Sequence, residues 1–251
     1  MKSKLNFFFL VLVSISLVQS SHAMETITFK SSDGITITAD LYMVHENTAP
    51  FILLFHQANW SRGEYLEIAP KLNALGFNCM AIDQRSGGSI NEITNNTKIE
   101  ASRLMKGTNY IDALIDMNSA IEFARGNFVG GKLILWGSSY SASLVLKIAG
   151  ADQENIDAAL AFSPGEYFSN LGHAKDYITT SAAYIQQPVM FTSANGEKAN
   201  WWGIYEAIPS ENKQFYLPET SGNHGSRALW DQFSDSKGYW EAITSFLQKL
   251  L

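Results

Sequence analysis

Residues 132–149, KLILWGSSYSASLVLKIA, decide the fold class of this chain. An apolar run, Lys132–Trp136, leads through small residues and serines into a second apolar segment, Tyr140–Ala149, that has the character of a helix. Continuous apolar runs of this length are typical of strands buried on both faces of a parallel sheet. A strand followed at once by a helix predicts one unit of an alternating α/β fold.

The same pattern recurs on both sides of this stretch. Further buried strands are predicted at Phe51–Phe55, Phe77–Ile82, Ala158–Phe162, Val189–Thr192 and, more weakly, Gln214–Leu217. Helices are predicted at Tyr65–Leu75, Thr108–Arg125 (capped by Thr108), Trp201–Ala207 and Tyr239–Leu250. Alternating β-branched residues in Met24–Lys30 and Ile35–Met43 predict an antiparallel hairpin at one sheet edge. We therefore predict a single α/β domain over 24–251, with a mostly parallel sheet of about eight strands covered by helices on both faces.

The N-terminus has the pattern of a secretory signal peptide. Lys2 and Lys4 precede the apolar run Phe7–Val18, and Ser21-His22-Ala23 supplies a small-x-small cleavage site. We expect cleavage after Ala23, export to a periplasm or to the exterior, and no stable membrane insertion afterwards. The net charge of the full sequence is −6, which argues against nucleic acid as a partner.

Ser139 is the predicted nucleophile. The segment Gly137-Ser138-Ser139-Tyr140-Ser141 fits a small-x-Ser-x-small pattern between a strand and a helix. Small residues are required because the sharp turn brings backbone segments close together, which exposes the apical hydroxyl above the strand ends. Ser138 competes for this role but lacks a small flank on its C-terminal side. The last small position is Ser141, where glycine is more usual.

His224 is the predicted general base. It lies in Gly222-Asn223-His224-Gly225, after the last strand and before the final helix, and this late position satisfies the order Ser…acid…His. Two glutamates follow strand ends between Ser139 and His224, so both are candidates for the acid that orients the imidazole. Glu197 follows Val189–Thr192 and is preferred, and Glu166 follows Ala158–Phe162.

The backbone N–H groups of Gln57 and Tyr140 are the predicted oxyanion donors. His56 is interpreted as an orienting residue of the loop after Phe51–Phe55 and not as the base. Neither a cluster with metal-ligand spacing nor a glycine-rich phosphate loop is evident. We therefore expect no metal and no organic cofactor.

Together these segments resemble the α/β-hydrolase family, in particular its compact dienelactone-hydrolase-like and small carboxylesterase members. The resemblance rests on Phe55-His56-Gln57, Ile82–Gly88, Gly137–Ser141, Asn195-Gly196-Glu197 and Asn223-His224-Gly225. It implies a serine hydrolase that cleaves small or exposed carboxylic esters through an acyl-enzyme, with Asp83 and Arg85 bracing the active-site face.

The short connection between Phe162 and Val189 predicts no large cap domain. The polar segment Gly87–Lys106 is expected to be a loop over the site, and Tyr167, Phe168, Trp201 and Trp202 are candidates to line it. Peptidase or acyltransferase chemistry on the same triad remains open, as does a catalytically inactive hydrolase-like binding protein.

Overall fold

The computed structural model describes residues 24–251, so the predicted signal peptide, residues 1–23, lies outside the described residues. The main sheet has eight strands: β1 (Glu25–Lys30), β2 (Thr36–Tyr42), β3 (Phe51–Phe55), β4 (Asn78–Ile82), β5 (Leu133–Ser138), β6 (Ala158–Phe162), β7 (Val189–Thr192) and β8 (Lys213–Tyr216). Their order across the sheet is β1-β2-β4-β3-β5-β6-β7-β8. Strand β2 is antiparallel to both β1 and β4, and the remaining neighbours are parallel. The predicted α/β-hydrolase architecture with its N-terminal hairpin is confirmed.

Seven helices accompany the strands in the described part of the chain: α1 (Ile68–Ala74), α2 (Asn96–Arg103), α3 (Ala113–Asn127), α4 (Tyr140–Ala151), α5 (Tyr177–Ala182), α6 (Lys198–Ala207) and α7 (Ser236–Leu247). Helices α3 to α6 pack on one face of the sheet, and α1 and α7 pack on the other. Pro70 is tolerated in α1 because it lies in the first turn, where its missing N–H has no intrahelical acceptor to lose. None of the helices between residues 24 and 251 has the length and apolar character needed to cross a membrane.

The two helical layers explain the continuous apolar runs. In β3, Phe51, Leu53 and Phe55 contact the α3–α6 layer, whereas Ile52 and Leu54 contact the α1/α7 layer. Both faces are dry, so polar residues have no place in the strand. Cys79, the one cysteine of the sequence, lies in β4 with no exposed surface.

The connection between β6 and β7 carries only a 3-10 turn, Ser169–Leu171, and the short helix α5. The described chain therefore has no large cap there, as predicted. The parallel strands all end on one edge of the sheet, and the loops that leave this edge carry the predicted site residues.

The prediction that Gly87–Lys106 is a loop is wrong. It contains a small hairpin, Ser89–Ile90 paired with Ile93–Thr94, followed by α2. Polar side chains provide the buried contacts: Thr97 Oγ1 accepts the Thr38 N–H at 3.0 Å, and Asn95 donates to the Gln84 carbonyl at 2.9 Å. The segment therefore lacks the apolar period by which a helix is recognised.

The predicted start of the long helix is also corrected. A 3-10 turn, Tyr110–Asp112, precedes α3, and the N–H of Asn109 is donated to Asp112 Oδ2 at 2.8 Å. Asn109 and Asp112 form a capping box, and Thr108 instead accepts a hydrogen bond from Lys98.

Candidate active site

Ser139 lies at the apex of the turn between β5 and α4, with φ 57° and ψ −122°. A left-handed φ is strained for serine, and the strain persists because the surroundings over-determine the turn. The Ser139 N–H is donated to the Phe162 carbonyl at 2.7 Å. A Cβ at position 137 would lie 2.4 Å from the Ser141 carbonyl oxygen, so only glycine fits there. The local structure is the sharp, hydroxyl-exposing turn predicted from the sequence.

Ser141 has a structural role that a glycine could not fill. Its hydroxyl donates to the His56 carbonyl at 2.6 Å and accepts from Gln84 Nε2 at 2.6 Å. The side chain therefore joins α4 to the loops after β3 and β4. This contact accounts for serine at the position where the family pattern usually has glycine.

His224 and Glu197 lie next to Ser139. Ser139 Oγ is 2.8 Å from His224 Nε2, and His224 Nδ1 is 2.6 Å from Glu197 Oε1. A carboxylate can only accept, so Nδ1 carries the proton and Nε2 is free to accept the Ser139 hydroxyl. The three groups form one hydrogen-bonded chain from three different loops.

Glu197 ends a 3-10 turn, Asn195–Glu197, directly after β7, and its second oxygen accepts the Ser163 hydroxyl at 2.7 Å. Burial raises the pKa of Glu197, but the hydrogen bonds from His224 and Ser163 outweigh this effect and hold the pKa below its usual value. The carboxylate form therefore persists next to the imidazole.

Glu166, the other candidate acid, does not contact His224. Its two oxygens accept the N–H groups of Ile178 and Thr179 and the Thr179 hydroxyl, at 2.8–2.9 Å. It therefore anchors the start of α5. Two further histidines also lie elsewhere: His45 contacts the Asn73 carbonyl, and His173 packs against Phe168 and Tyr177.

The predicted oxyanion role of Gln57 is wrong. Its N–H is donated to the buried carboxyl of Glu64, with Oε2 at 2.8 Å, so it cannot also bind a developing oxyanion. Side-chain partners of this kind cannot be deduced from the spacing of residues along the chain. No motif or spacing around Glu64 indicates that its carboxyl group accepts the Gln57 N–H.

The next residue, Ala58, replaces Gln57 as the candidate donor on this loop, because its N–H has no acceptor among residues 24–251. His56 Nε2 accepts the Gln84 N–H at 2.9 Å, so its Nδ1 carries the proton and donates to the Gln57 carbonyl at 2.8 Å. Burial lowers the pKa of His56 to about 4, which keeps this ring neutral. In a trans peptide the C=O and the following N–H point in opposite directions. Since the Gln57 carbonyl points toward the His56 ring, the Ala58 N–H points away from that ring.

The Tyr140 N–H is the second available donor. Tyr140 is the first residue of α4, and the first N–H groups of a helix have no intrahelical acceptor. Among residues 24–251 neither this N–H nor that of Ala58 has a hydrogen-bond acceptor. The positive end of the helix adds to the attraction for an anion.

Two buried ion-pair groups support the loops around this site. Arg85 pairs with Asp116 and Asp33, each at 2.8 Å, and its own N–H is donated to Asp116. Arg62 pairs with Asp83 at 2.8 Å. The loop after β4 is thus fixed against α3 and against the turn that follows β3.

A cavity of about 300 Å³ lies near the start of α4. Its lining includes Asn59, Ser86, Lys98, Tyr110, Tyr167 and Asn170. Tyr110 stacks on Tyr140, which places the cavity next to the start of α4. Of the four aromatic residues considered from the sequence, Tyr167 lines the cavity, whereas Phe168 and Trp201 are buried in the core and Trp202 stacks on Tyr205 of the same helix. The described residues contain no group of three or more side chains arranged to hold a metal ion.

The family model described as serine aminopeptidase, S33, matches residues 46–189 of the chain. The match begins before β3 and ends at the start of β7, so it contains the nucleophile turn and the loops after β3 and β4. No curated protein sequence is significantly similar to the chain.

Solved structures share the fold at low sequence identity. An esterase of Pyrococcus furiosus, Pf2001, is 15% identical with a TM-score of 0.69, over 90% of this chain and 92% of that one. Est1E of Butyrivibrio proteoclasticus, solved with ferulic acid, is 13% identical with a TM-score of 0.70, over 89% and 98%. A dienelactone hydrolase of Anabaena variabilis is 14% identical with a TM-score of 0.68, over 92% and 100%.

Proposed function

This chain belongs to the α/β-hydrolase family described as serine aminopeptidase, S33, and on that premise we propose that it is a serine hydrolase of carboxylic esters. The observation that carries the proposal is the hydrogen-bonded chain from Ser139 Oγ to His224 at 2.8 Å and on to Glu197 at 2.6 Å. A serine hydroxyl is a weak nucleophile unless an oriented base accepts its proton. Here the base is oriented by a carboxylate whose charge is maintained.

The proposed reaction has two halves. Ser139 Oγ attacks the ester carbonyl while His224 Nε2 takes its proton, and the N–H groups of Tyr140 and Ala58 stabilise the tetrahedral oxyanion. His224 then protonates the departing alcohol and leaves an acyl group on Ser139. A water molecule, deprotonated by His224, releases the acid in the second half. Glu197 stabilises the imidazolium in both halves.

Ester cleavage is preferred because the solved structures with this fold include an esterase and an acetyl xylan esterase. The family description favours a second candidate, removal of N-terminal residues from peptides. A panel of p-nitrophenyl esters beside aminoacyl-p-nitroanilides distinguishes them, since a peptidase must protonate a poorer leaving group. Comparable kcat/KM on the anilides would favour the peptidase.

Reaction with a fluorophosphonate probe tests whether the serine is activated at all. We expect stoichiometric labelling of a residue that peptide mapping identifies as Ser139. A folded protein that resists the probe would make the hydrolase proposal wrong and would favour a binding protein with a hydrolase fold.

Replacing Glu197 by glutamine is expected to lower kcat by about 10²- to 10⁴-fold, because the neutral amide no longer stabilises the imidazolium and favours the wrong tautomer. Glu166→Gln is the matched control: that carboxyl anchors α5 and touches no reacting group, so kcat should stay within about 2-fold. Steady-state kinetics on one ester measures both. Equal losses in the two variants would contradict the assignment of Glu197.

We also propose that the protein is exported with cleavage after Ala23. Expression of the full chain in a bacterium with a secretory pathway should yield a processed product that begins at Met24, as read by intact mass and N-terminal sequencing. An uncleaved chain that stays in the cytoplasm would contradict this proposal.

A further inference from the structure

Glu64 is a buried carboxyl group that the proposed reaction does not use. It lies on the 3-10 turn Arg62–Tyr65, and its side chain has no exposed surface. Among the described residues it has no ion-pair partner. An isolated buried carboxylate is costly unless donors surround it. The groups that donate hydrogen bonds to Glu64 therefore identify the parts of the structure that its negative charge holds in place.

Those donors belong to two loops of the active site. Oε2 accepts the Gln57 N–H at 2.8 Å, directly before the Ala58 N–H that we assign to the oxyanion. Oε1 accepts the Ser138 hydroxyl at 2.7 Å, directly before the nucleophile. One carboxylate thus contacts the residues that precede both the oxyanion donor and Ser139.

The contact continues into the histidine loop. Ser138 Oγ accepts the Ser226 N–H at 2.9 Å. The preceding N–H, that of Gly225, is donated to Ser163 Oγ, which in turn donates to Glu197. The two amides that follow His224 are therefore held by two carboxylates, each acting through a serine hydroxyl.

Gly225 has no room for a side chain between these two contacts. It has φ +73°, and a Cβ there would lie 2.5 Å from Ser138 Oγ. The Glu64–Ser138 pair is thus packed directly against the loop that carries His224. A shift of either group would displace the imidazole.

We propose that Glu64, as a carboxylate, is a positioning residue that holds the His224 loop and the Gln57–Ala58 peptide in the reactive arrangement, and that protonation of Glu64 releases them. The proposal rests on the hydrolase function proposed above. A proton on Oε2 would face the Gln57 N–H, which cannot turn away. A proton on Oε1 forces the Ser138 hydroxyl to turn from Glu64 and lose its acceptor. Either way the network loses a hydrogen bond.

The charge state of Glu64 changes close to neutral pH. The titratable or charged side chains on the elements packed around it are His56 after β3, Arg62 and Tyr65 on its own turn, Asp83 after β4, Tyr140 after Ser139, and His224 and Arg227 on the histidine loop. Burial raises the pKa of Glu64 to about 7, against the opposing effects of its hydrogen bonds and of His224. Arg62 is already paired with Asp40 and Asp83 and does not contact the Glu64 carboxylate.

Glu64→Gln mimics the protonated state at every pH, because the amide oxygen can accept from Gln57 while its NH₂ group faces Ser138. We expect kcat at pH 8 to fall by about 10- to 10²-fold with KM little changed, as for a small displacement of reacting groups. The ratio of wild-type to variant activity should approach one as the pH falls below 6. On the acidic side of the pH profile, kcat should depend on two protonations in the wild type and on one in Glu64→Gln.

Glu67→Gln, an exposed neighbour on the same segment, is the control and should reproduce the wild-type pH profile. A constant ratio of wild-type to Glu64→Gln activity at all pH values would overturn the proposal, because a purely structural defect is insensitive to this titration. Unchanged activity of Glu64→Gln at pH 8 would overturn it as well.

Amide NMR separates this proposal from the hydrolase function. The Gln57 and Ser226 amide protons should shift together with one midpoint near neutral pH in the wild type, and this transition should be absent in Glu64→Gln. Ser138→Ala should keep the Gln57 transition and lose the one at Ser226. A protein that resists fluorophosphonate but shows these shifts refutes the hydrolase function alone. Absence of the shared transition in the wild type refutes the role of Glu64.

Discussion

Ser139→Ala is expected to lower kcat for ester hydrolysis by about 10⁴- to 10⁶-fold, the loss typical of removing a triad nucleophile. The hydroxyl is the group that His224 Nε2 contacts at 2.8 Å, and alanine has no atom that can form the acyl-enzyme. The remaining rate comes from the oxyanion donors alone. The backbone N–H to Phe162 is retained, so the turn should keep its shape. Single-turnover kinetics and probe labelling measure the loss.

Ser245→Ala, an exposed serine on α7, is the control and should react like the wild type. Ser138 is a poor substitute nucleophile, because its side chain is buried and its hydroxyl is donated to Glu64 at 2.7 Å. Full activity of Ser139→Ala would therefore refute the nucleophile assignment and would point to a residue outside this turn.

Asp116→Ala is expected to lower the free energy of unfolding by about 3–5 kcal/mol, as is usual when one member of a buried ion pair is removed. Asp116 has no exposed side-chain surface, and the Arg85 side chain is 2% exposed. Alanine is the best helix former, so α3 itself does not suffer. The loss comes from Arg85, which keeps only the partly exposed Asp33 as a partner. Chemical denaturation followed by circular dichroism measures it.

Glu122→Ala, on the exposed side of the same helix, controls for the change in helix composition. It should change the free energy of unfolding by less than about 0.5 kcal/mol. A double variant, Arg85→Met with Asp116→Leu, should recover much of the stability, since apolar residues can replace a buried pair. Equal stability of Asp116→Ala and Glu122→Ala would contradict this account.

The strands and the nucleophile turn could be predicted because their constraints act on residue type. A strand that is buried on both faces must be apolar along its whole length, as Phe51–Phe55 is. The turn at Ser139 requires a small residue at position 137, and the glycine there is visible in the small-x-Ser-x-small pattern of the sequence. These are local rules, so one sequence is enough to apply them.

The oxyanion donor, the triad acid and helix α2 depend instead on contacts between residues that are separated along the chain. Gln57 has the expected position after β3, but Glu64, seven residues later, takes its N–H. The choice between Glu197 and Glu166 needed the path of each loop, since both follow a strand. Helix α2 is held by Asn95 and Thr97 through hydrogen bonds, and such burial leaves no apolar period in the sequence.

Because Cys79 is buried, folding of this chain should not depend on the redox potential of the compartment. The sequence contains no second cysteine with which a disulfide could form, and burial raises the pKa of this thiol and so suppresses the reactive thiolate. Residues 24–251 should therefore fold to the same state in a reducing cytosol as in an oxidising compartment. A cysteine introduced on the surface would then be the single site at which a maleimide dye attaches, and a larger dye count would contradict this expectation.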